Sequence, residues 1–479
     1  MLKCAINYYK KLLKCAINYI ICLVIKMKRL ALTELIKWIN NPKRKPLIIW
    51  GARQVGKTYL VKDIFAQEYF KDNYIYIDFR LEKDIKDFCD ENVDPKKIIE
   101  FISLVKNKQI NKNTLIIFDE VQECLGIITS LKYFCQDFRE QPVIATGSMV
   151  RIKLNRLSNK RGVKSENKFL FPVGKINQLT LYPMSFEEFL LNYNFPLYNV
   201  ICESYKNKKA LDDSYHKLAI NTLYKYLLIG GMPEAVEVFL EEESYFESRE
   251  TLKELYDNYL SDMQLYQASP ESIIRSKKIF ENIYSELNKE NKNFKASIIE
   301  KNSKNRDMKT PIDWLTTSMI VHKSYLVKEK VTCPLIQDDN SNYRLYLSDI
   351  GMFSYQSGIN TSSFLNNDSN NVLSGIFFEN YVANEIISKG LKLYYWKGKN
   401  DSEIEFLIEN NNNIYPIDVK IGRGSLNSLS KFRDHNPKTY AIKFSKNNYG
   451  IDKENKILTI PLYEVFLVLN DLSQKSFEI

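Results

Sequence analysis

The stretch Leu47–Thr58 reads LIIWGARQVGKT and decides the fold. Its first part, Leu47–Trp50, is apolar and predicts a short buried strand, and residues 51–58 fit the pattern GxxxxGK(S/T) at every fixed position. In this pattern the glycines let backbone N–H groups wrap around phosphates, and the lysine and the hydroxyl complete the cradle. The helix that follows adds the positive end of its dipole. The stretch therefore predicts a phosphate-binding loop between a strand and a helix.

Each residue of this loop has a predicted role. Lys57 is expected to bring its positive charge to the β and γ phosphates of ATP, and Thr58 to offer its hydroxyl to Mg²⁺. The other cradle residues are Gly51, Ala52, Arg53, Gln54, Val55 and Gly56. The sequence thus predicts ATP and Mg²⁺ as cofactors of an α/β domain built on the parallel sheet of a P-loop NTPase.

A second strand should end beside the loop. Residues 114–120 read TLIIFDE, so a buried strand carries Asp119 and Glu120 at its carboxyl end. Because ligands bind at the carboxyl ends of parallel strands, Asp119 is expected to hold the Mg²⁺ shell and Glu120 to polarise the attacking water. The alternative is an ordinary strand end with a solvated acidic turn.

A third strand, VIAT at residues 143–146, ends in the polar residues that follow it. Ser148, or Thr146, is the candidate that senses the γ phosphate; a simple strand-to-loop turn is the alternative. Fast hydrolysis also needs an arginine finger. Three arginines of the next basic loop are available and none is singled out: Arg151, Arg156 and Arg161.

The rest of the chain predicts further domains, since 479 residues exceed one ordinary core. A helix over 27–41, a strand at Tyr74–Phe79 and helices between the strands complete a parallel sheet covered on both faces. After Ser148 the pattern changes, and two short strands are predicted at 169–173 and 175–181. Helices are predicted from Ser214 to about Asn288. Residues 308–350 are compatible with a winged helix, with strands at 326–330 and 343–347. The predicted domains are 27–200, 201–360 and 361–479.

The last domain is predicted to be a compact α/β unit. Its expected elements are a helix at 375–388, strands at 391–396, 403–408 and 414–420, a helix near 425–434 and a strand at 439–444. On these strands Glu405 could meet Asp418 across a hairpin, and Asp418 and Lys420 share a face. Glu379, on the preceding helix, could add a third carboxylate.

This set of Glu379, Glu405, Asp418 and Lys420 is similar to the PD-(D/E)xK constellation of nucleases. There, carboxylates bind Mg²⁺ and the lysine orients the attacking water. The usual first aspartate is a glutamate here and no proline precedes it. A degenerate nuclease fold kept for binding, or a charged strand face, is the alternative.

Composition narrows the class of protein. The net charge of +10 permits a polyanionic partner, but the richness in Lys, Asn, Ile and Tyr matches an AT-rich genome. Lysines and arginines are concentrated in the 275–309 region, which would suit DNA, although a solvated helix face explains them equally. The eight cysteines form no CxxC pair and indicate free thiols in a reducing cytoplasm.

The N-terminus repeats LKCAINY at residues 2–8 and 13–19. The apolar run at 20–25 is too short to span a bilayer, so no stable membrane insertion is expected. Residues 1–26 are interpreted as a leader outside the fold, with a membrane-surface helix as the alternative.

Several motifs together resemble a known family. They are GARQVGKT, LIIFDEVQE, ATGSM, FPVGKINQLTLYPMSFEEFL, YLLIGGMPEAV, RLYLSDIGMFS, GIFFENYVANEI and YPIDVKIG. This order resembles a large prokaryotic group of AAA-type ATP-binding proteins with a C-terminal domain of unknown function, DUF4143. The resemblance covers nearly all of the chain from Met27. It implies an AAA-like ATPase core, a winged-helix-like middle and a C-terminal domain similar to restriction endonucleases.

Three functions remain open from the sequence. The first is an Mg²⁺-dependent ATPase that couples nucleotide state to domain movement, acting on DNA or on a protein complex. The second is an ATP-gated nuclease, and the third is a binding module in which ATP is a switch that is not hydrolysed. A protein partner or a second copy of the chain is compatible with each of them.

Overall fold

The computed structural model describes residues 27–148, 171–267, 269–338, 342–365, 371–398, 402–420, 427–436 and 440–477. Its N-terminal sheet has five parallel strands in the order β2-β3-β4-β1-β5. They are β1 (Leu47–Trp50), β2 (Tyr74–Asp78), β3 (Leu115–Asp119), β4 (Val143–Thr146) and β5 (Asn177–Thr180). Because β4 lies between β1 and β3, the loops after these three strands meet at one edge of the sheet.

Both faces of this sheet are buried, as the short apolar strands predict. Leu47 and Ile49 belong to one hydrophobic cluster and Ile48 and Trp50 to another, because successive strand side chains point to opposite faces. The first cluster continues through the helical region to the C-terminal helix, and the second packs under the helices of the N-terminal domain. The α/β fold class with a parallel core is confirmed.

Helices cover the sheet where the hydrophobic pattern predicted them. The helix after the loop has π-type hydrogen bonding over Tyr59–Ala66. The other helices of this part are Ala31–Asn40, Gln67–Tyr69, Lys83–Glu91, Pro95–Val105, the 3₁₀ turn Val121–Glu123, and Leu125–Asp137.

The middle of the chain is helical, as expected, with a break between two helices at Gly230. Its helices are Phe186–Tyr193, Phe195–Lys206, Asp213–Ile229, Pro233–Glu242, Tyr245–Tyr266, Pro270–Leu287, Ala296–Ile299, the 3₁₀ turn Asn305–Met308, Lys309–Thr317, Ile350–Ser357 and Thr361–Leu365. Between the last helices lies the antiparallel pair β6 (Val321–Leu326) and β7 (Tyr343–Leu347). The winged-helix-like arrangement stays a prediction.

The C-terminal part adds strands to two sheets. Its helices are Asn371–Ser388, Asn427–His435, the 3₁₀ turn Leu462–Glu464 and Val465–Gln474. Its strands are β8 (Tyr394–Lys397), β9 (Glu403–Ile404), β10 (Phe406–Asn410), β11 (Asn413–Lys420), β12 (Ala441–Ser445), β13 (Gly450–Asp452) and β14 (Ile457–Pro461). One sheet has the order β7-β6-β8-β9 and the other β10-β11-β12-β14-β13.

Some local expectations were wrong. The single strand expected at 403–408 is two strands in two sheets, because the chain changes sheet at Glu405. The strand expected at 326–330 lies earlier, at Val321–Leu326, and residues 171–173 are not a strand. Strand β6 pairs with β8 from the other side of the expected boundary at residue 360, so the domain limits stay a prediction.

Some expectations lie outside the described residues: the leader 1–26 and the three loop arginines Arg151, Arg156 and Arg161. Within the described ranges, none of the helices has the length and apolar character needed to cross a membrane. The described cysteines Cys89, Cys124, Cys135, Cys202 and Cys333 are free thiols.

Candidate nucleotide site and C-terminal carboxylate cluster

The loop between β1 and the following helix adopts the backbone that its glycines allow. Gln54 and Gly56 have positive φ angles of 63° and 86°. At Gly56 an added Cβ would lie 3.2 Å from the Arg29 guanidinium and 3.5 Å from the Pro233 ring. Glycine is therefore required both by the left-handed backbone and by the close approach of two other elements.

Lys57 lies at the bottom of this loop. Its ammonium donates hydrogen bonds to the carbonyls of Gly51 at 3.1 Å and Ala52 at 2.7 Å. Burial lowers the pKa of Lys57 to about 8, although Glu120 and Asp119 act in the opposite direction. The side chain is thus a buried cation held by the loop itself, at the position where the motif places a phosphate-binding charge.

Asp119 is oriented by three hydroxyl groups. Its Oδ2 accepts hydrogen bonds from Thr58 Oγ1 at 2.7 Å and from the Tyr76 phenol at 2.8 Å. Thr146, at the end of β4, donates to Oδ1 of Asp119. The strand order explains this arrangement, since β2 and β4 are the two neighbours of β3. Thr58 and Asp119, the two residues predicted to hold Mg²⁺, are thus hydrogen-bonded to each other.

Glu120 has a strained backbone and a cationic partner. Its φ of 53° is in the left-handed region, which costs a non-glycine residue about 1–3 kcal/mol. Its carboxylate forms an ion pair with Arg80 at 2.8 Å and accepts a hydrogen bond from the Gln122 amide.

These groups line one cavity of about 750 Å³. The predicted residues in its wall are Arg53, Gln54, Gly56, Lys57, Thr58, Asp119, Glu120 and Ser148. The two γ-phosphate candidates separate: Ser148 lines the cavity, whereas Thr146 is buried behind it against Asp119. Of the other cradle residues, Gly51 and Ala52 hold Lys57, and the Val55 carbonyl accepts from Arg29 at 2.8 Å.

The cavity suits a magnesium-bound triphosphate. Thr58 and Asp119 offer a hydroxyl and a carboxylate, the oxygen ligands that Mg²⁺ uses together with phosphates. Among the described residues no group of three or more His, Cys, Asp or Glu could hold a metal alone. That is compatible with Mg²⁺ here, because this ion is usually held by one or two carboxylates and the substrate phosphates.

Sequence reasoning missed several residues of this site. Tyr76 and Arg80 belong to β2 and the turn after it, and Asp262 lies on a helix more than 200 residues beyond the loop. The position of Tyr76 followed from a signal in the sequence, since it alternates with buried Ile75 and Ile77 on a strand expected beside β3. Nothing in the sequence indicated Asp262.

The C-terminal carboxylates form a second cluster. Glu405 Oε1 lies 3.2 Å from the Lys420 ammonium, and Asp418 Oδ1 lies 3.1 Å from it. Burial and the neighbouring Asp418 raise the pKa of Glu405 to about 8. The hairpin β10–β11 turns at Asn411 and Asn412, whose positive φ angles suit a tight two-residue turn. The expected meeting of Glu405 with Asp418 across this hairpin is present.

Glu379 has other partners. Lys292 and Arg344 form ion pairs with it, and the Tyr346 phenol donates to it at 2.7 Å. Arg344 also pairs with Glu403 and stacks over the Tyr395 ring, and its side chain is 0% exposed. In the predicted nuclease-like set, Glu405, Asp418 and Lys420 form one group of ion pairs, whereas Glu379 pairs with Arg344 and with Lys292, whose charge also acts on Glu405. The described residues contain no three-carboxylate metal group here.

Three comparisons with protein families agree with this architecture. Residues 43–190 match the AAA domain family, and residues 374–463 match a domain of unknown function, DUF4143. Residues 220–363 match another domain of unknown function, DUF8612. The resemblance drawn from the sequence motifs is thereby confirmed at both ends of the chain.

The chain is also similar to an uncharacterized protein of Methanocaldococcus jannaschii, MJ1544. The two are 27% identical over 227 residues, which is 46% of this chain and 42% of that protein. The matched part is thus less than half the length of the relative.

Proposed function

We propose that this chain, in which residues 43–190 match the AAA domain family and residues 374–463 match DUF4143, is an Mg²⁺-dependent ATPase that couples ATP binding and hydrolysis to domain movement. One observation carries the proposal: Lys57, the hydrogen-bonded pair Thr58–Asp119, and Glu120 line the same cavity. A cavity of this kind offers a cation for phosphates, oxygen ligands for a metal and a carboxylate beside them.

Each residue has one task in this proposal. Lys57 binds the phosphates, and Thr58 and Asp119 hold Mg²⁺, which when bound screens the phosphate charge. The Glu120 carboxylate accepts a hydrogen bond from the attacking water. Arg80 forms an ion pair with Glu120 at 2.8 Å. For this task Glu120 must therefore either break that ion pair or bind the water and Arg80 at the same time. Ser148, two residues after β4, contacts the phosphates from the cavity wall in this proposal.

The coupling to other domains has a short structural path. Pro233 lies beside Gly56, and two residues before it the Gly231 N–H donates to Asp349 Oδ2 at 2.6 Å. Asp349 also accepts from the Met352 N–H at 2.8 Å and so caps the helix Ile350–Ser357. A Cβ on Gly231 would lie 1.9 Å from the Met184 carbonyl oxygen, so the backbone at Gly231 is packed tightly against Met184. A shift of the loop would therefore reach the middle of the chain directly.

The proposal is tested by ATP turnover in Mg²⁺ for the wild type and Glu120→Gln. We expect the variant to bind ATP and to lose turnover by about 100-fold or more, as removal of a water-activating group does. The control Glu91→Gln changes an exposed carboxylate at a helix end and should leave turnover unchanged. Equal and negligible turnover in all three proteins would instead favour a switch that does not hydrolyse ATP.

A cavity in the middle of the chain favours DNA as a partner. It measures about 710 Å³ and is lined by Lys295, Lys304 and Lys397 together with asparagine and serine side chains, with no carboxylate among its described lining residues. Ammonium and amide donors without competing carboxylates suit a phosphodiester backbone.

Anisotropy titration of duplex DNA at fixed salt tests this partner. The double variant Lys295→Ala/Lys304→Ala should weaken binding by roughly tenfold and reduce the salt dependence. The matched control, Lys71→Ala/Lys96→Ala, removes two exposed lysines of the N-terminal domain. Equal loss in both double variants would indicate non-specific attraction and would count against this cavity.

The ATP-gated nuclease is supported by Glu405, Asp418 and Lys420 alone. Incubation of the chain with DNA, Mg²⁺ and ATP, beside Asp418→Ala, tests it. Cleavage that depends on Asp418 and on ATP would establish a nuclease, whereas cleavage unaffected by the substitution would exclude this cluster as its source.

A further inference from the structure

One helix from the middle of the chain forms part of the nucleotide cavity. This cavity helix, Tyr245–Tyr266, contributes Asn258, Ser261, Asp262 and Leu265 to the wall. The spacing i, i+3, i+4, i+7 places these side chains on one face of the helix. The same cavity contains the loop residues and the carboxylates of β3, so two distant parts of the sequence share one site.

Two bonds tie the cavity helix to the phosphate-binding loop at a single residue, Arg53. The Arg53 guanidinium forms an ion pair with Asp262 Oδ1. The Tyr259 phenol donates to the Arg53 carbonyl at 2.9 Å. Both helix residues are buried, since Tyr259 is 3% exposed and Asp262 4% exposed. The helix therefore holds the backbone and the side chain of a cradle residue at once.

Asp262 depends on Arg53 for its charge balance. Its second oxygen, Oδ2, accepts no hydrogen bond from the described residues although it is buried. Burial raises the pKa of Asp262, and Arg53, followed by Arg80, acts against that rise. A buried carboxylate with one strong partner loses much of its stabilisation when that partner moves.

Phosphates in the cradle would compete for the same cation. A guanidinium binds phosphate oxygens as well as carboxylates, and Arg53 belongs to the loop that surrounds them. Asp262 lines the cavity and repels an anion placed there. The nucleotide and the cavity helix thus make opposing demands on Arg53.

We propose that Asp262 is a nucleotide-sensing positioning residue: ATP in the cradle takes Arg53 from Asp262 and so releases the cavity helix from the loop. This inference rests on ATP binding at the proposed site, and it names the regulation of that site. The linkage is reciprocal, so a helix already released favours nucleotide binding.

Backbone hydrogen exchange of the cavity helix in the full chain, with and without Mg²⁺ and ATP, tests the proposal, together with ATP affinity. In the wild type ATP should increase exchange over residues 245–266 severalfold. In Asp262→Asn exchange should be high without nucleotide and change little with it, and ATP should bind about three- to tenfold tighter. Asp262→Glu keeps the charge and should therefore keep the wild-type increase of exchange on addition of ATP.

Two further variants separate sensing from simple damage to the helix. Asp257→Asn changes an exposed carboxylate on the same helix and should behave as the wild type. Tyr259→Phe removes only the hydroxyl that donates to the loop and should raise exchange partway. If Asp262→Asn binds ATP no tighter than the wild type while the exchange response persists, the proposal is overturned.

The outcomes also separate this inference from the proposed ATPase. ATP binding without any change in helix exchange overturns the sensing role and leaves hydrolysis standing. Binding with the expected exchange response but no turnover supports the sensing role and excludes the ATPase. Absence of ATP binding by the wild type overturns both.

Discussion

The N-terminal cavity and the C-terminal cluster contain the same residue types in different surroundings. In each, carboxylates stand at strand ends close to a lysine. In the cavity, hydroxyls of Thr58 and Tyr76 orient Asp119, and Lys57 bonds to backbone carbonyls. In the cluster, Lys420 pairs directly with Glu405 and Asp418. Asp119 and Lys57 thus keep their charges beside the cavity, although Glu120 pairs there with Arg80, whereas Lys420 neutralises the carboxylates of the cluster directly.

The difference teaches that carboxylate spacing alone does not define a binding site. What matters is which groups neutralise the carboxylates. Neutral hydroxyl donors orient Asp119 without cancelling its charge, so it keeps its attraction for a metal. Lys292 and Arg344, which come from other elements, cancel the charge of Glu379.

The largest expected effect separates the two lysines. Lys57→Ala should weaken ATP binding at least 100-fold, because the phosphates lose the buried cation of the cradle. Lys420→Ala should leave ATP affinity unchanged, and so should Lys71→Ala, the exposed control. Titration with a fluorescent ATP analogue measures all three. A similar loss in Lys420→Ala would show that the two regions are not independent.

The next effect concerns stability. Glu379→Gln should destabilise the protein by about 3–5 kcal/mol, because the buried Arg344 and the partly buried Lys292 lose a charged partner. ATP affinity should not change. Thermal or urea unfolding measures the loss against Glu454→Gln, an exposed carboxylate of the same region. Unfolding at the wild-type temperature would show that the network contributes little.

A smaller effect concerns the pH dependence of ATP binding. Burial lowers the pKa of Lys57 to about 8, so its charge is lost above that pH unless phosphates are bound. The ATP dissociation constant should therefore rise roughly five- to tenfold between pH 7.5 and pH 9. Lys57→Arg keeps its charge over this range and should show a flatter profile. Parallel profiles for the two proteins would contradict a titrating Lys57.

The smallest effect tests Glu405. Its pKa in the folded protein, about 8, lies above its ordinary value of 4.5. A raised pKa contributes stability that is present below pH 4.5 and is lost as the pH rises through 8. Glu405→Gln should therefore flatten the fall in unfolding temperature between pH 5 and pH 8. The same slope as in the wild type and Glu454→Gln would show that Glu405 is already ionised.

The core of the nucleotide site was predictable because the sequence motifs that define it are made of neighbouring residues. The loop at 51–58 carries its own backbone geometry, and β3 carries Asp119 and Glu120 on an unbroken apolar run. The partners of these residues were not predictable in the same way. Arg80, Arg29 and Asp262 lie on three other elements, and single-sequence patterns do not say which elements meet.

The C-terminal carboxylate cluster was also predictable only where its contacts are local in sequence. The pairing of Glu405 with Asp418 followed from strand alternation across a hairpin. The change of sheet at Glu405 could not be predicted, because only one residue separates the two strands and the sequence pattern of 403–408 is that of one continuous strand. Lys292, which pairs with Glu379, comes from a segment that the sequence indicated only as basic.

The sequence by itself determined the phosphate-binding loop, the parallel core and the order of domains, because backbone geometry and hydrophobic period are properties of neighbouring residues. Only the tertiary structure decided which carboxylates stay available and which are neutralised. That outcome depends on cations and hydroxyls brought within about 3 Å by packing, and electrostatic interaction at such distances follows spatial rather than sequence separation.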